Sequence, residues 1–294
     1  MIGAQTTFYG YKGDVAEKTK KLINIFESIG MSPYVQIGPA PSQEFETLVS
    51  ELNTLKDRHE VEYSVHQSIW VPSPDFFLNL GSSDEEVKRG TINSLKKSID
   101  FAREIGARKV SFHAGCAANK VVQGEELEPL TIHDGISHEE AYSNVEEVLK
   151  ELLSHAKRDV NLSLENLNHR PERRYLFTTP EDFQRLPRGV NVLFDTGHAY
   201  FSETRMNDPS YTEKMIEIVG GKISEVHASD NDGLEDQHKL VGFGSVPFSK
   251  IFELITKKQK LPPIIIEAAQ AKHEYSEDDL RKSIRRLAQL IEEV

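Results

Sequence analysis

Nine residues of metal-ligand type recur along this 294-residue chain: His66, His113, Glu165, Asp195, His198, His227, Asp236, His238 and Glu267. Most of them close a short apolar run, as in VEYSVHQ, KVSFHAG, LSLENL, VLFDTGHAY, ISEVHAS and PIIIEAA. Imidazoles and carboxylates are costly to bury unless something compensates them, and a bound cation compensates both kinds. A lone strand-end histidine is more often a hydrogen-bonded core residue than a ligand. A succession of them, each one βα unit after the last, predicts that the chain brings them together around metal. Five histidines and four carboxylates exceed the four ligands that zinc usually takes, and they suit two or three ions bridged by carboxylates and water. The other six histidines (His59, His133, His138, His155, His169 and His273) fall in predicted helices or loops. Cys116 is the only cysteine, so nitrogen and oxygen must supply the ligands.

The elements that must position these residues alternate strand and helix. Strands are expected at 2–8, 33–37, 61–66, 108–113, 160–165, 190–195, 222–227 and 262–267. Between them lie stretches with helical apolar spacing, such as Val15-Thr19-Leu22-Ile23-Phe26 and Leu95-Ile99-Ala102-Ile105. Ser82-Ser83-Asp84-Glu85-Glu86 has the chemistry of a helix start, and Gly30, Gly106 and Gly220-Gly221 sit where helices should stop. A last helix over about 276–293 carries Leu280, Ile284, Leu287 and Ile291 on one face. Eight strands, each followed by a helix, predict a single (β/α)8 TIM barrel over residues 1–294. The rival, a doubly wound open sheet, would want a Gly-rich phosphate loop after its first strand, and none is there. In a barrel the strand C-termini meet on one rim, so the ligands converge there. The long loops 114–138 and 166–180 should border that mouth.

Composition narrows the class more than the substrate. With 38% hydrophobic and 28% charged residues the chain reads as an ordinary globular protein with a sizeable core. No apolar run approaches the ~20 residues of a membrane span, and the start MIGAQTTFYGYKGD does not resemble a secretory signal. One cysteine is compatible with a reducing cytoplasm, the expected location. A net charge of −12 argues against general attraction to nucleic acid, although bound cations would cancel several of the acids. No obligate protein partner is evident.

With these motifs in view, the sequence resembles the xylose-isomerase-like barrels, and among them the endonuclease IV family of apurinic/apyrimidinic endonucleases. The resemblance runs over essentially the whole chain. It rests on the opening MIGAQTTFYG, on LNLGSSDEEVKRGTINSLKKSIDFAREIGARKVSFHAG, on FDTGHAY and on the D-x-H of DQHKLVGFG. It implies up to three divalent ions, zinc foremost. His66 and His113 would hold the first ion, with Glu165 bridging to the second. Asp195, His227 and Glu267 would complete the second site, and His198, Asp236 and His238 the third. The implied chemistry is phosphodiester cleavage 5′ to an abasic site in damaged duplex DNA by a metal-bound hydroxide. Glu165 and Glu267 are the implied catalytic residues, and Glu267 would orient the hydroxide.

The loops depart from that family. Glu165 precedes NLNHRPERRYLF rather than a Gly-rich segment, HAGC replaces His-Pro-Gly, and HQSIWVPSP replaces a His-Ala-Pro-Tyr type sequence. QIGPAPSQEF offers no arginine to push into a base stack. Substitute contacts are Trp70, either a stacking platform or a loop anchor, and Arg170, Arg173 and Arg174, either phosphate forks or a solvated loop paired with Glu172. Cys116 reads as a free thiol without a catalytic role, and Tyr200 and Phe201 as packing at the rim. The alternative function is a sugar or sugar-phosphate isomerase or epimerase of the same superfamily. There one manganese or magnesium ion on Glu165, Asp195, His227 and Glu267 would polarise a hydroxy-ketone. A metal-binding scaffold without activity is a third possibility.

Overall fold

The computed structural model describes residues 1–39, 44–67, 70–73, 75–123, 130–268 and 270–294. Eight parallel strands close a barrel in the order expected from the alternation. They are β1 (Ile2–Gln5), β2 (Tyr34–Ile37), β3 (Glu62–His66), β4 (Lys109–Phe112), β7 (Asn161–Glu165), β8 (Asn191–Asp195), β9 (Ile223–Ala228) and β10 (Ile264–Ile266), which returns to β1. Their outer surface is covered by α1 (Val15–Ser28), α2 (Phe45–Arg58), α3 (Glu85–Glu104), α4 (His138–Ala156), α5 (Thr196–Arg205), α6 (Tyr211–Val219), α7 (Phe248–Thr256) and α9 (Glu277–Glu292). A short α8 (Gln270–His273) precedes α9.

Local chemistry explains the helix limits. Asp14 caps α1 by accepting from the Glu17 N–H, and Asp84 caps α3 by accepting from Glu86 and Val87. Ser276 and Asp279 form a reciprocal capping box at α9. Past α1 and α3 the chain turns through Gly30 (φ 73°) and Gly106 (φ 66°), a left-handed conformation that glycine adopts without penalty. The expected apolar stripes are the buried faces: Leu22, Ile23 and Phe26 on α1, and Leu95, Ile99 and Ala102 on α3. Among the described residues, no helix is long and apolar enough to cross a membrane.

Three regions differ from expectation. The stretch 114–138 is not a plain loop: β5 (Ala118–Gln123) and β6 (Leu130–Gly135) pair as an antiparallel hairpin outside the barrel. Its tip, 124–129, lies outside the described residues. After β7 there is no α-helix before β8 among the described residues. Two 3-10 turns, Pro171–Arg173 and Pro180–Arg185, take its place, because prolines interrupt the segment. The first strand also stops early, at Gln5, where Thr6–Tyr9 winds into a 3-10 turn.

The barrel interior is polar below the rim. Gln5, Gln36, Ser64, Ser111, Ser163 and Glu225 are all buried. The Tyr34 hydroxyl donates to Glu225 at 2.5 Å. Gly3 makes room for that ring, since a Cβ there would lie 2.6 Å from Tyr34 Cδ1. A register shift at Val192/Leu193 leaves Ser224 as the extra residue of β9, where it meets Ser163 at 2.6 Å.

Candidate metal centre

The nine ligand-type residues converge at the C-terminal rim and partition into three groups. These are His66, His113 and Glu165; Glu165, Asp195, His227 and Glu267; and His198, Asp236 and His238. Within each group the potential ligand atoms lie within 4.8 Å of one another. His66, Glu165 and Asp195 end their strands, His113 and Glu267 follow theirs directly, and His227 is the penultimate residue of β9. His198 sits in the first turn of α5, and Asp236 and His238 lie in the loop after β9.

Glu165 joins the groups. Its Oε2 is 3.1 Å from His113 Nε2 and 3.5 Å from His66 Nε2. Its Oε1 is 3.3 Å from His198 Nδ1 and 3.7 Å from His227 Nδ1. Asp236 Oδ2 lies 3.3 Å from both His198 Nε2 and His238 Nε2. The barrel seals most of this from water, while His113 (35% side-chain exposure), His238 (28%) and Glu267 (15%) face the opening.

Residues outside the ligand set orient it. The His66 Nδ1 is 3.1 Å from Ser111 Oγ, and His198 Nδ1–H donates to the Asn166 carbonyl at 2.8 Å. Asn166 also grips Asp195, its Oδ1 accepting from the Asp195 N–H at 2.7 Å and its Nδ2 donating to the Asp195 carbonyl. Asn168 Nδ2 donates to Asp236 at 2.8 Å. These asparagines follow Glu165 in the NLNH segment that departs from the resembled family. Their short side chains after a strand-end ligand were the available signal, and nothing in spacing alone marks them.

Several buried atoms in the cluster have no hydrogen-bond partner: Glu165 Oε1, Asp195 Oδ2, His227 Nδ1, Asp236 Oδ1 and Glu267 Oε2. Buried polar atoms are nearly always paired, and an unpaired one costs about 1–3 kcal/mol, more when charged. His227 Nδ1 and Glu267 Oε2 are only 3.0 Å apart, yet each remains without a hydrogen bond. His227 Nε2 is engaged with Gln36, so Nδ1 presents its lone pair to a carboxylate lone pair. A cation between such atoms removes the conflict. The donor set therefore fits divalent metal. The two groups with paired imidazoles match zinc preferences, and the carboxylate-rich group also suits manganese or magnesium.

Protons are the competing solution. Burial opposes charge on His227, but Glu267 and Glu165 hold it protonated well above the usual histidine range. His198 behaves likewise, with Asp195 and Asp236 outweighing burial. Burial also opposes His238, whose pKa is nonetheless raised to about 9, chiefly by Asp236. Burial pushes Asp195 up to about 7 and pulls His66 down to about 3. Glu165 is held well below the carboxylate range against its burial, mainly by His113 and His227. Metal entering this cluster must displace protons.

The expected substrate contacts fare differently. Trp70 packs edge-on against Phe101 at 5.0 Å and beside Phe45 at 5.0 Å, with Lys97 Nζ 4.8 Å over its ring. These contacts with α2 and α3 suit the loop-anchor reading. Arg174 acts as a strut, donating to the carbonyls of Ala117 and Ile136 at the root of the hairpin. Arg170 stacks on buried Phe201 at 4.8 Å, and Arg173 ends the 3-10 turn beside it, partly exposed. Glu172 pairs with Arg205 rather than with this cluster. Cys116 is buried, and burial pushes its thiol up to about 12, which suits an inert residue.

Comparison with known proteins fits this geometry. A family model described as a xylose isomerase-like TIM barrel matches residues 15–290. An uncharacterized protein of Methanocaldococcus jannaschii is 28% identical over 211 residues, covering 70% of this chain and 64% of its own. A probable endonuclease 4 of Aquifex aeolicus is 26% identical over 184 residues, covering 58% of this chain and 60% of its own. The chain thus spans a little under two thirds of the length of these relatives. The solved structure of a D-tagatose 3-epimerase-like protein superposes with a TM-score of 0.75 at 24% identity, covering 99% of this chain and 97% of its own. At that identity the likeness speaks for the fold.

Proposed function

We propose that this chain, which belongs to the xylose isomerase-like TIM barrel family, is a metal-dependent phosphodiesterase that cleaves DNA 5′ to abasic sites. The observation that carries the reading is the partition of ligands. One ion needs only Glu165, Asp195, His227 and Glu267, whereas His66 with His113, and His198 with Asp236 and His238, form two further groups around it. The relatives named probable endonuclease 4 support the same reading.

Bound divalent ions would lower the pKa of water and neutralise charge that builds on phosphoryl oxygens. The chain's own residues do the rest. Glu165 ties the first group to the second through its two oxygens. Glu267, at the opening, is placed to accept a hydrogen bond from the attacking water and so to aim it. His113 and His238 flank the exposed side, where the phosphate would seat. The buried walls keep other water out, which strengthens every charge interaction inside.

The test is nicking of a labelled duplex with one synthetic abasic site by zinc-loaded protein, beside a Glu267→Gln control. Cleavage 5′ to the lesion that disappears in the variant supports the reading. Intact duplex with well-metallated protein sinks it.

A second reading, a sugar or sugar-phosphate isomerase or epimerase, is favoured by one specific observation. Trp70 and Arg174, two of the four groups expected to hold DNA, are committed to packing and to backbone carbonyls. In that reading Glu165 and Glu267 shuttle a proton beside the four-ligand group. Turnover in an aldose–ketose panel with manganese or magnesium would move it to first place.

A further inference from the structure

The second ligand group is held from beneath by side chains that are not ligands. His227 Nε2 donates to Gln36 Oε1 at 2.7 Å, and Gln5 Nε2 donates to the same oxygen at 2.8 Å. Gln5 Oε1 in turn accepts from the Thr7 hydroxyl. The two glutamines face each other across β1 and β2, in register. Exposure is 6% for Thr7, 1% for Gln5 and zero for Gln36 and His227, so every link lies away from bulk water. As the amides are oriented, the donors run in one sense: the Thr7 hydroxyl gives to the Gln5 oxygen, the Gln5 amide nitrogen to the Gln36 oxygen, and that oxygen takes the N–H of His227.

The consequence falls on the other ring nitrogen. With the proton on Nε2, Nδ1 carries the lone pair, and it faces Glu267 Oε2 at 3.0 Å, Glu165 Oε1 at 3.7 Å and Asp195 Oδ2 at 3.9 Å. We infer that Gln36, backed by Gln5 and Thr7, is the positioning residue that fixes His227 with Nδ1 toward the metal. The inference rests on the metal-centre reading and holds whether the substrate is a phosphodiester or a sugar. Partners of this kind set the tautomer and ring orientation of a ligating histidine, and losing one typically costs about 10–100-fold in metal affinity.

The experiment is chelator-competition titration of Zn²⁺ into the metal-stripped full chain, with bound zinc counted by elemental analysis. Gln36→Leu should weaken one ion per chain by about 10–100-fold. Gln36→Glu keeps an acceptor at the same atom and should bind as tightly as the unaltered chain or more so. Gln5→Leu should fall between, because Gln36 loses one of its two partners. Thermal unfolding of each metal-free variant reports whether the fold is present. If the leucine variant at 36 does not fold, the glutamate variant and Gln5→Leu decide: undiminished affinity in the first with loss in the second supports the inference, and any other pattern overturns it. Equal loss in the leucine and glutamate variants, or no loss in either, overturns it while leaving the metal centre standing. An unaltered chain that binds no zinc overturns both.

Discussion

The first two ligand groups and the third are built on different kinds of backbone. His66, His113, Glu165, Asp195, His227 and Glu267 sit on or beside barrel strands, whose parallel register fixes their spacing as firmly as the fold itself. Asp236 and His238 belong to the loop after β9, and His238 is held in the left-handed region at φ 48°, unusual for a residue with a Cβ. What replaces strand register there is one buried carboxylate. Asp230 Oδ1 accepts from the Asn231 and Val246 N–H groups, and Oδ2 accepts from Gly242 and Gly244. Gly244 is required at that approach, since a Cβ would lie 2.4 Å from Asp230 Oδ1. Strand-borne ligands inherit their geometry, whereas the loop-borne pair depends on a few specific hydrogen bonds.

That contrast can be broken or sharpened by experiment. The largest effect should come from Glu165→Gln, which removes the bridging carboxylate among His66, His113, His198 and His227. Turnover should fall by at least about 10²–10³-fold with the fold retained, and near-normal activity would dismantle the site assignment. Next comes Asp230→Asn, which sets an amide NH2 against two of the four backbone donors at a local cost of about 1–3 kcal/mol. Bound zinc should drop at the third group and persist at the other two, and uniform loss would show that loop and strands are not separate. A third test uses pH. His238 is raised to about 9 from an ordinary 6.5, so in metal-free protein its contribution to stability is full below about pH 6.5 and is lost as pH rises through about 9. Melting of metal-free protein should therefore weaken over that window, while zinc affinity at the third group should rise, because each ion displaces fewer protons. A flat affinity profile would refute the proton competition. The smallest effect belongs to Arg173→Ala. It should weaken substrate binding a few-fold and lower the salt slope by about 1 if it meets a phosphate, and an unchanged slope removes it from the contact surface.

How much of this was legible in the sequence follows the same division. Strand ends that close on His, Glu or Asp announce themselves, because an apolar run must be buried and a polar terminus must then be compensated. Six of the eight barrel strands follow from that logic, whereas the division of the ligands into three groups was implied by the family resemblance. The supporting residues were not legible. Gln36, Asn166 and Asn168 act through directions of hydrogen bonds, which depend on register and rotamer rather than on residue type. Asp230 is one of two acids in HASDNDG, and its meaning lies in backbone N–H groups more than ten residues away. Trp70 and Arg174 were read from side-chain capability, and capability does not reveal which neighbours have already claimed the side chain.

The hairpin of β5 and β6 is fastened at its root and along β5, where Asn79 donates to the Ala118 carbonyl, Ser82 donates to the Asn119 carbonyl, and Phe76 bridges Val122. Arg174 reaches the carbonyls of Ala117 and Ile136, the Ala117 N–H donates to the Arg174 carbonyl, and Cys116 bridges Tyr175. Neither strand joins the barrel's hydrogen-bond ladder. A lineage carrying this fold can therefore vary that hairpin without altering a barrel strand that bears a ligand. Inheritance of the chemistry and invention of new substrate preferences become separable events, each with its own stretch of chain on which mutation can act.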